Sequence, residues 1–326
     1  MVVFSKIGMA VLAIVVGSGG VIALFYGANA LVERFASGRL KSRLLPWIYL
    51  APALLLLAAY LVIPTTLTVY VSLLDARSQS FVGFSNYIAL FADPGMGEAF
   101  RNNIFWLVGV TGVSVSLGLL IAVLADRVRY EPLAKTLIFL PMAISFVGAS
   151  VIWKFIYAFR PAGTAQIGLL NGVITSLGFE PVGWLVERSL NNFALIAIMI
   201  WLQTGFCMVL LSAAVKGIPQ EMIEAARIDG ANEVQIFWRI VVPMIRSTIL
   251  VVSTTTVLLV LKVFDIVYVM TAGNLGTEVI ASRMFKEMFS FRHYGRGSAI
   301  AVMLLLAVIP IMVVNIREFR HQEPSR

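Results

Sequence analysis

Hydrophobic residues run along this chain in long, nearly unbroken blocks rather than in the alternation of a half-buried strand or the stripe of a soluble helix. Seven blocks reach the roughly 20 residues that an α-helix needs to cross the hydrocarbon of a bilayer. They cover residues 7–32, 46–73, 103–125, 136–157, 192–215, 247–270 and 297–316. The pattern predicts seven transmembrane helices with short polar connections, "DPGMG" and "FRPAG" among the turns. The first block follows a single lysine and contains "GSGG"; its apolar stretch is longer than that of a signal peptide, so it reads as a retained helix.

The polar residues between the blocks set the orientation. Arg34, Arg39, Lys41 and Arg43 follow the first block, Arg127, Arg129 and Lys135 the third. Lys216, Arg227, Arg239 and Arg246 follow the fifth, and Arg317, Arg320 and Arg326 end the chain. With seven spans these segments share one side, which the positive-inside rule assigns to the cytoplasm. The C-terminus is then cytoplasmic and the N-terminus outside, in the periplasm of a bacterial inner membrane. "SRMFKEMFSFRHYGRG" is equally basic and falls outside. Its Met284, Phe285, Met288 and Phe289 recur at helical spacing, which predicts an amphipathic helix on the outer membrane face.

Composition agrees with the pattern. Of 326 residues, 60% are hydrophobic and 13% charged, against roughly 25% charged in soluble domains. The net charge of +8 is accounted for by the basic loops, without nucleic acid. Cys207 stands alone in an apolar block and excludes an intrachain disulfide. With His293 and His321 as the only histidines, a His/Cys metal site is not expected. No loop is long enough for a separate enzymatic domain. The chain therefore divides into an N-terminal helix with its basic loop, 1–45, and a membrane domain, 46–326, interrupted by a charged segment at 216–246.

That segment, "EAARIDGANEVQIFWRIVVP", is the exception to the pattern. Pro219 suits a first helical position and Glu221 the positive end of the helix dipole. Gly230 supplies a left-handed stop. Asn232 and Gln235 have capping-box spacing for a second helix, whose Val234, Phe237, Trp238 and Val241 lie on one stripe. Pro243 ends or kinks it. The outcome is a rigid elbow with the small Ala225 and Ala226 at its bend, suited either to lying on lipid headgroups or to docking another protein surface.

Glu224-Ala225-Ala226, three residues, Gly230, nine residues, Ile240, one residue, then Val242 and Pro243 resembles the EAA signature of ABC importer permeases. Val242 departs from the usual leucine. "WLQTGFCMVLLSAAVKGIPQEMIEAARIDGA" and "VFDIVYVMTAGNLGTEVIA" resemble the carbohydrate branch, the maltose-type and glycerol-phosphate-type permeases, and "AGNLGTEVIASRMFKEMF" is most similar to permeases for alpha-glucosides and glucosylglycerol. The resemblance implies an all-α polytopic bundle, a six-helix type I importer core with one added N-terminal helix. It implies that Glu224, Ala225, Ala226, Arg227, Asp229, Gly230 and Pro243 couple this chain to an ATP-binding subunit. It further implies two such subunits, a second homologous permease completing a heterodimer, an extracytoplasmic sugar-binding protein, and surrounding lipid.

No phosphate-cradling Gly-x-x-x-x-Gly-Lys-Ser/Thr loop occurs. The chain is thus expected to bind no cofactor and catalyse nothing, leaving ATP and magnesium to the partner. Polar residues inside spans are costly and point to a path for cargo. Lys262 and Asp265, three apart, are expected on one helix face, as an ion pair or as sugar contacts. Thr254, Thr255 and Thr256 either bond back to their helix or face a cavity, and Tyr268 is a further candidate. By resemblance Gln203, Phe206 and Thr256 occupy sugar-lining positions of maltose-type permeases, while Val260 and Val263 replace asparagines there. A polyol or glycerol phosphate is the alternative cargo. A secondary transporter would show inverted repeats and midplane carboxylates, and a membrane enzyme an intramembrane His, Cys or carboxylate cluster; the sequence offers neither set.

Overall fold

The computed structural model describes residues 38–126 and 129–322, with scattered positions between 8 and 34. The chain forms two compact units, Met1–Thr68 and Val69–Arg326. Among the described residues the regular structure is helical, apart from one isolated antiparallel bridge between Leu74 and Phe81. About half of the first predicted span lies outside the described residues.

Helix α1 runs through Gly38–Leu57, a π turn at Ala58–Val62, and Ile63–Ser72. After the bridge, where the Gln79 backbone N–H (2.7 Å) holds the Asp75 carboxyl below its ordinary range, comes α2, Ser85–Ala92. Helix α3, Pro94–Ala125, extends about 48 Å at 1.5 Å per residue. "DPGMG", read as a turn, is instead its start: the Asp93 carboxylate accepts from Gly95 N at 2.8 Å and Pro94 takes the first turn, where a missing N–H costs nothing. Helix α4, Glu131–Phe139, continues as a 3₁₀ turn to Ala143; α5 is Phe146–Ile156, α6 Leu169–Ser176 and α7 Asn191–Lys216.

Helices α3 and α7 cross at the centre of the second unit. A Cβ on Gly118 would stand 2.6 Å from the Cys207 Cβ and 2.8 Å from Met208 N, so only glycine permits this approach. One apolar cluster is built around Trp106, Leu195, Ile198 and Met199; another around Val115, Leu119, Met208 and Leu211.

The charged segment is the predicted elbow. Helix α8, Gln220–Ile228, stops at Gly230, whose φ is +82°. Asn232 then caps α9, Glu233–Met244, through the reciprocal box: its side chain accepts from Gln235 N at 2.8 Å, and the Gln235 side chain accepts from Asn232 N at 2.9 Å. A π turn at Phe237–Val241 precedes Pro243, and at Ile245 the chain bends by 71° into α10, Arg246–Leu261. The predicted stripe splits here: Val241 is buried and Phe237 packs inward, whereas Val234 and Trp238 are exposed, because the π turn shifts the phase.

Two predicted spans are not straight. The fourth breaks between α4 and α5 by 101°, with Ile144 and Ser145 extended and Ser145 Oγ accepting from Gly148 N at 3.1 Å. The sixth ends at Leu261; Lys262–Phe264 is irregular and α11, Asp265–Thr271, follows in a new phase. Lys262 and Asp265 therefore do not share a helix face and make no ion pair with each other.

Helix α12, Ile280–Phe285, prolonged by a π turn at Lys286–Ser290, leads to α13, Tyr294–Gln322. It forms at the predicted place, but it is packed into the protein rather than laid on a membrane face. The Phe285 ring centroid lies within 5.2 Å of those of Phe264, Tyr268 and Phe289, in tilted and edge-on contacts. Its polar side is paired: Arg283 bridges Asp93 (2.6 Å) and the buried Glu287 (2.8 Å), Glu287 also meets His293 (2.9 Å), and Lys286 pairs with Glu278 (2.6 Å). These pairs account for much of the basic charge that the loop pattern left unexplained.

Four helices, Leu40–Ser72, Pro94–Ala125, Asn191–Lys216 and Tyr294–Glu318, are long and apolar enough to cross a membrane. The two bent pairs raise the number to six among the described residues.

Candidate functional site

Both helix breaks open onto one cavity. About 390 Å³ in volume, it is lined by Met142, Ile144, Ser145, Phe146 and Val147 from the α4–α5 break, by Leu202 and Gln203 of α7, by Leu259 of α10, and by Asp265. A smaller hollow of about 30 Å³ adjoins it behind Phe146, Leu259 and Asp265, bordered by Lys262, Val263 and Phe264. Irregular backbone at membrane depth is tolerated only where it is covered by protein or lines a cavity. Here both breaks meet that condition at the same place.

The structure thus brings Gln203 and Asp265 together and sets Lys262 at the edge. Gln203 is 5% exposed, and its amide makes no hydrogen bond to any described residue. The amide lines the cavity, so its free groups are available to whatever enters. The other predicted residues lie elsewhere. Thr256 is buried against Cys207 and bonds to Val252 O at 2.9 Å; Thr254 and Thr255 likewise bond back, at 2.8 Å, to Leu250 O and Val251 O. Phe206 packs in the apolar cluster that reaches the elbow. Tyr268 stacks on Phe264 at 5.0 Å.

At the elbow, Glu224, Ala225, Asp229 and Gly230 are exposed and Ile228 is 86% exposed, an apolar side chain with no cover of its own. Ile223 and Ala226 point the other way, into the cluster with Val115, Leu119, Met208 and Leu211. Arg227 pairs with Glu233 across the Gly230 bend at 2.9 Å, tying α8 to α9. Pro243 is exposed at the bend into α10.

Two further groups escaped the sequence. Beside the elbow, Lys135 of α4 pairs with Glu131 (2.6 Å) and Asp126 and donates to Ser212 of α7, while Lys216 reaches Glu131. This clasp fixes the ends of α3, α4 and α7 to one another. At the opposite end four asparagines grip residues 275–280. Asn102 Nδ2 donates to the carbonyls of Gly276 (2.9 Å) and Glu278 (2.8 Å), and Asn103 Oδ1 accepts from Ile280 N (2.8 Å). Asn191 donates to Leu275 O (2.8 Å) and Asn192 to Gly276 O (3.0 Å). The gripped turn is strained, with Ala272, Leu275 and their glycine neighbours at positive φ. One signal was present: an Asn-Asn pair stands at the head of two apolar blocks, where polar residues are costly.

Comparison with known proteins sets these features in a wider group. The family described as "Binding-protein-dependent transport system inner membrane component" matches residues 114–325. The chain is 72% identical over 278 residues to the "Osmoprotective compounds uptake permease protein GgtC" of Synechocystis sp., covering 85% of this chain and all of that one. It is 53% identical to the "Alpha-glucoside transport system permease protein AglF" of Rhizobium meliloti, covering 86% of this chain and 83% of that one. A bacterial alginate ABC transporter, solved in complex with an alginate-bound periplasmic protein, shares the fold with a TM-score of 0.73 at 21% identity, covering 84% of this chain and 93% of that one.

Proposed function

Because the chain belongs to the family of binding-protein-dependent transport system inner membrane components, we propose that it is one permease subunit of an ABC importer that moves a sugar, an alpha-glucoside or a related osmoprotective glycoside, into the cytoplasm. It is a multi-pass inner-membrane protein; in our reading the C-terminus and the elbow are cytoplasmic and the N-terminus periplasmic. A second homologous permease completes the pore, two ATP-binding subunits drive it, and an extracytoplasmic sugar-binding protein delivers the cargo. ATP and magnesium belong to the partner subunits, and this chain carries out no chemistry itself.

The observation that carries the proposal is the elbow: a two-helix bend presenting Glu224, Ala225 and the bare Ile228 to solvent while Ile223 and Ala226 anchor it to α3 and α7. Small residues at the bend admit a close partner surface, Arg227, Asp229 and Glu224 give register, and burying Ile228 against a partner contributes about 1.5–3 kcal/mol. Gly230 holds the bend and Pro243 fixes it to α10. A push on the elbow is felt directly by α7, which carries Gln203, and by α10, which ends at the cavity. Gln203 and Asp265, with Lys262 at the edge, form the cargo path; Phe206, Thr256 and Tyr268 lie outside its lining.

The test is reconstitution of the full complex in liposomes with its binding protein, followed by uptake of radiolabelled alpha-glucosides and ATPase measurement. Sugar-dependent ATPase activity with uptake is expected, and Gln203→Leu is expected to raise the KM for uptake while assembly persists. A complex that turns over ATP but carries no glycoside would overturn the cargo.

A further inference from the structure

The family and the fold leave the charge of the cargo open: a transporter of this fold imports alginate, an acidic polysaccharide. The cavity of this chain does not. Among its nine lining residues, Asp265 is the one charged group, set against Met142, Ile144, Phe146, Val147, Leu202 and Leu259. Its carboxylate has no ion-pair partner; Lys262, the nearest cation in sequence, is exposed and borders only the adjoining hollow, which is too small for a sugar ring. Beside it the buried, unpaired Gln203 amide offers two donors and one acceptor, and Ser145 a hydroxyl.

We propose that Asp265 makes this path selective for uncharged polyhydroxylated cargo and excludes anionic sugars. This rests on the reading of the cavity as the cargo path. An ionised carboxylate only accepts hydrogen bonds, and each hydroxyl of a sugar donates one, so a vicinal diol satisfies both of its oxygens while the diol's own lone pairs receive from Gln203. A carboxylate or phosphate on the cargo has no proton to donate and adds a like charge in an apolar-walled, poorly screened space. The same residue therefore binds one class and repels the other. Glycerol phosphate falls in the repelled class, which removes it as a cargo.

The experiment uses the assembled complex in nanodiscs without the binding protein, so that delivery plays no part. Saturation-transfer NMR compares methyl α-glucoside with methyl α-glucuronide, which differ only in the carboxylate at C6. In the unmodified complex the glucoside is expected to give a signal at least tenfold above the glucuronide. Asp265→Asn is expected to narrow that ratio below threefold, and Asp265→Glu to keep it, each variant first checked for monodispersity and thermal midpoint. Equal signals from the two probes, or a ratio unmoved by Asp265→Asn, would overturn the charge filter alone. Silence from both probes in the unmodified complex would overturn the cavity as a cargo site, and the filter with it.

Discussion

Asn102 and Asn192, on different helices, donate to a single acceptor: their Nδ2 atoms stand 2.9 and 3.0 Å from the Gly276 carbonyl oxygen. Asn102 also holds Glu278 O, so Asn102→Ala orphans a buried carbonyl and is expected to cost about 1–3 kcal/mol. Asn192→Ala leaves Gly276 O with its other donor and should cost less. The double variant loses both, and its cost should exceed the sum of the singles. Thermal unfolding of the purified complex reads all three; strict additivity would mean that the shared carbonyl is not a joint grip.

Gly230 and Gly118 are constrained for different reasons, and substitution separates them. At Gly230 an added Cβ meets nothing within 4 Å, but the φ of +82° costs a side chain about 1–2 kcal/mol. Gly230→Val is therefore expected to leave the fold intact and to weaken ATPase stimulation by loaded binding protein, with Gly230→Asn milder because asparagine tolerates the left-handed region. Stimulation equal to that of the unmodified protein in Gly230→Val would remove the bend from the coupling pathway.

At Gly118 the backbone is ordinary and the space is absent, the Cβ landing 2.6 Å from Cys207. Gly118→Ala must push α3 and α7 apart, so the expected effect is on stability, about 1–3 kcal/mol of overpacking, read as a lowered thermal midpoint. Unchanged stability would show that the helices do not meet here.

Lys135→Met should strip Asp126 of its nearest cation and Glu131 of one of its two. The side chain is 16% exposed, so the loss is expected below the 3–5 kcal/mol of a fully buried pair, at about 1–3 kcal/mol. Lys216→Ala, at a side chain 53% exposed, should cost under about 1 kcal/mol. Reversal of that order in urea or thermal titration would contradict the clasp.

What the sequence disclosed was what local pattern encodes. Hydropathy located the apolar blocks, and the Asn232/Gln235 box, three residues apart, was readable and is formed. The breaks at Ile144–Ser145 and Lys262–Phe264 were not readable. Neither contains glycine, and Pro141 stands three residues ahead of the first, so continuous hydropathy concealed both. That concealment put Lys262 and Asp265 on a face they do not share. The asparagine grip joins residues 84 to 177 apart in the chain, separations at which no spacing rule operates.

Helix α7 carries Asn191 and Asn192 at one end, Gln203 midway, and Ser212 and Lys216 at the other. It works as a drive shaft whose fittings are keyed by angle. One residue added between Gln203 and Ser212 would turn everything beyond it by about 100°, unseating the clasp while every side chain stayed the same. The count of residues along this rod is thus as strictly specified as their identity, and outward-facing positions such as Val209 and Leu210 are free to vary in kind but not in number.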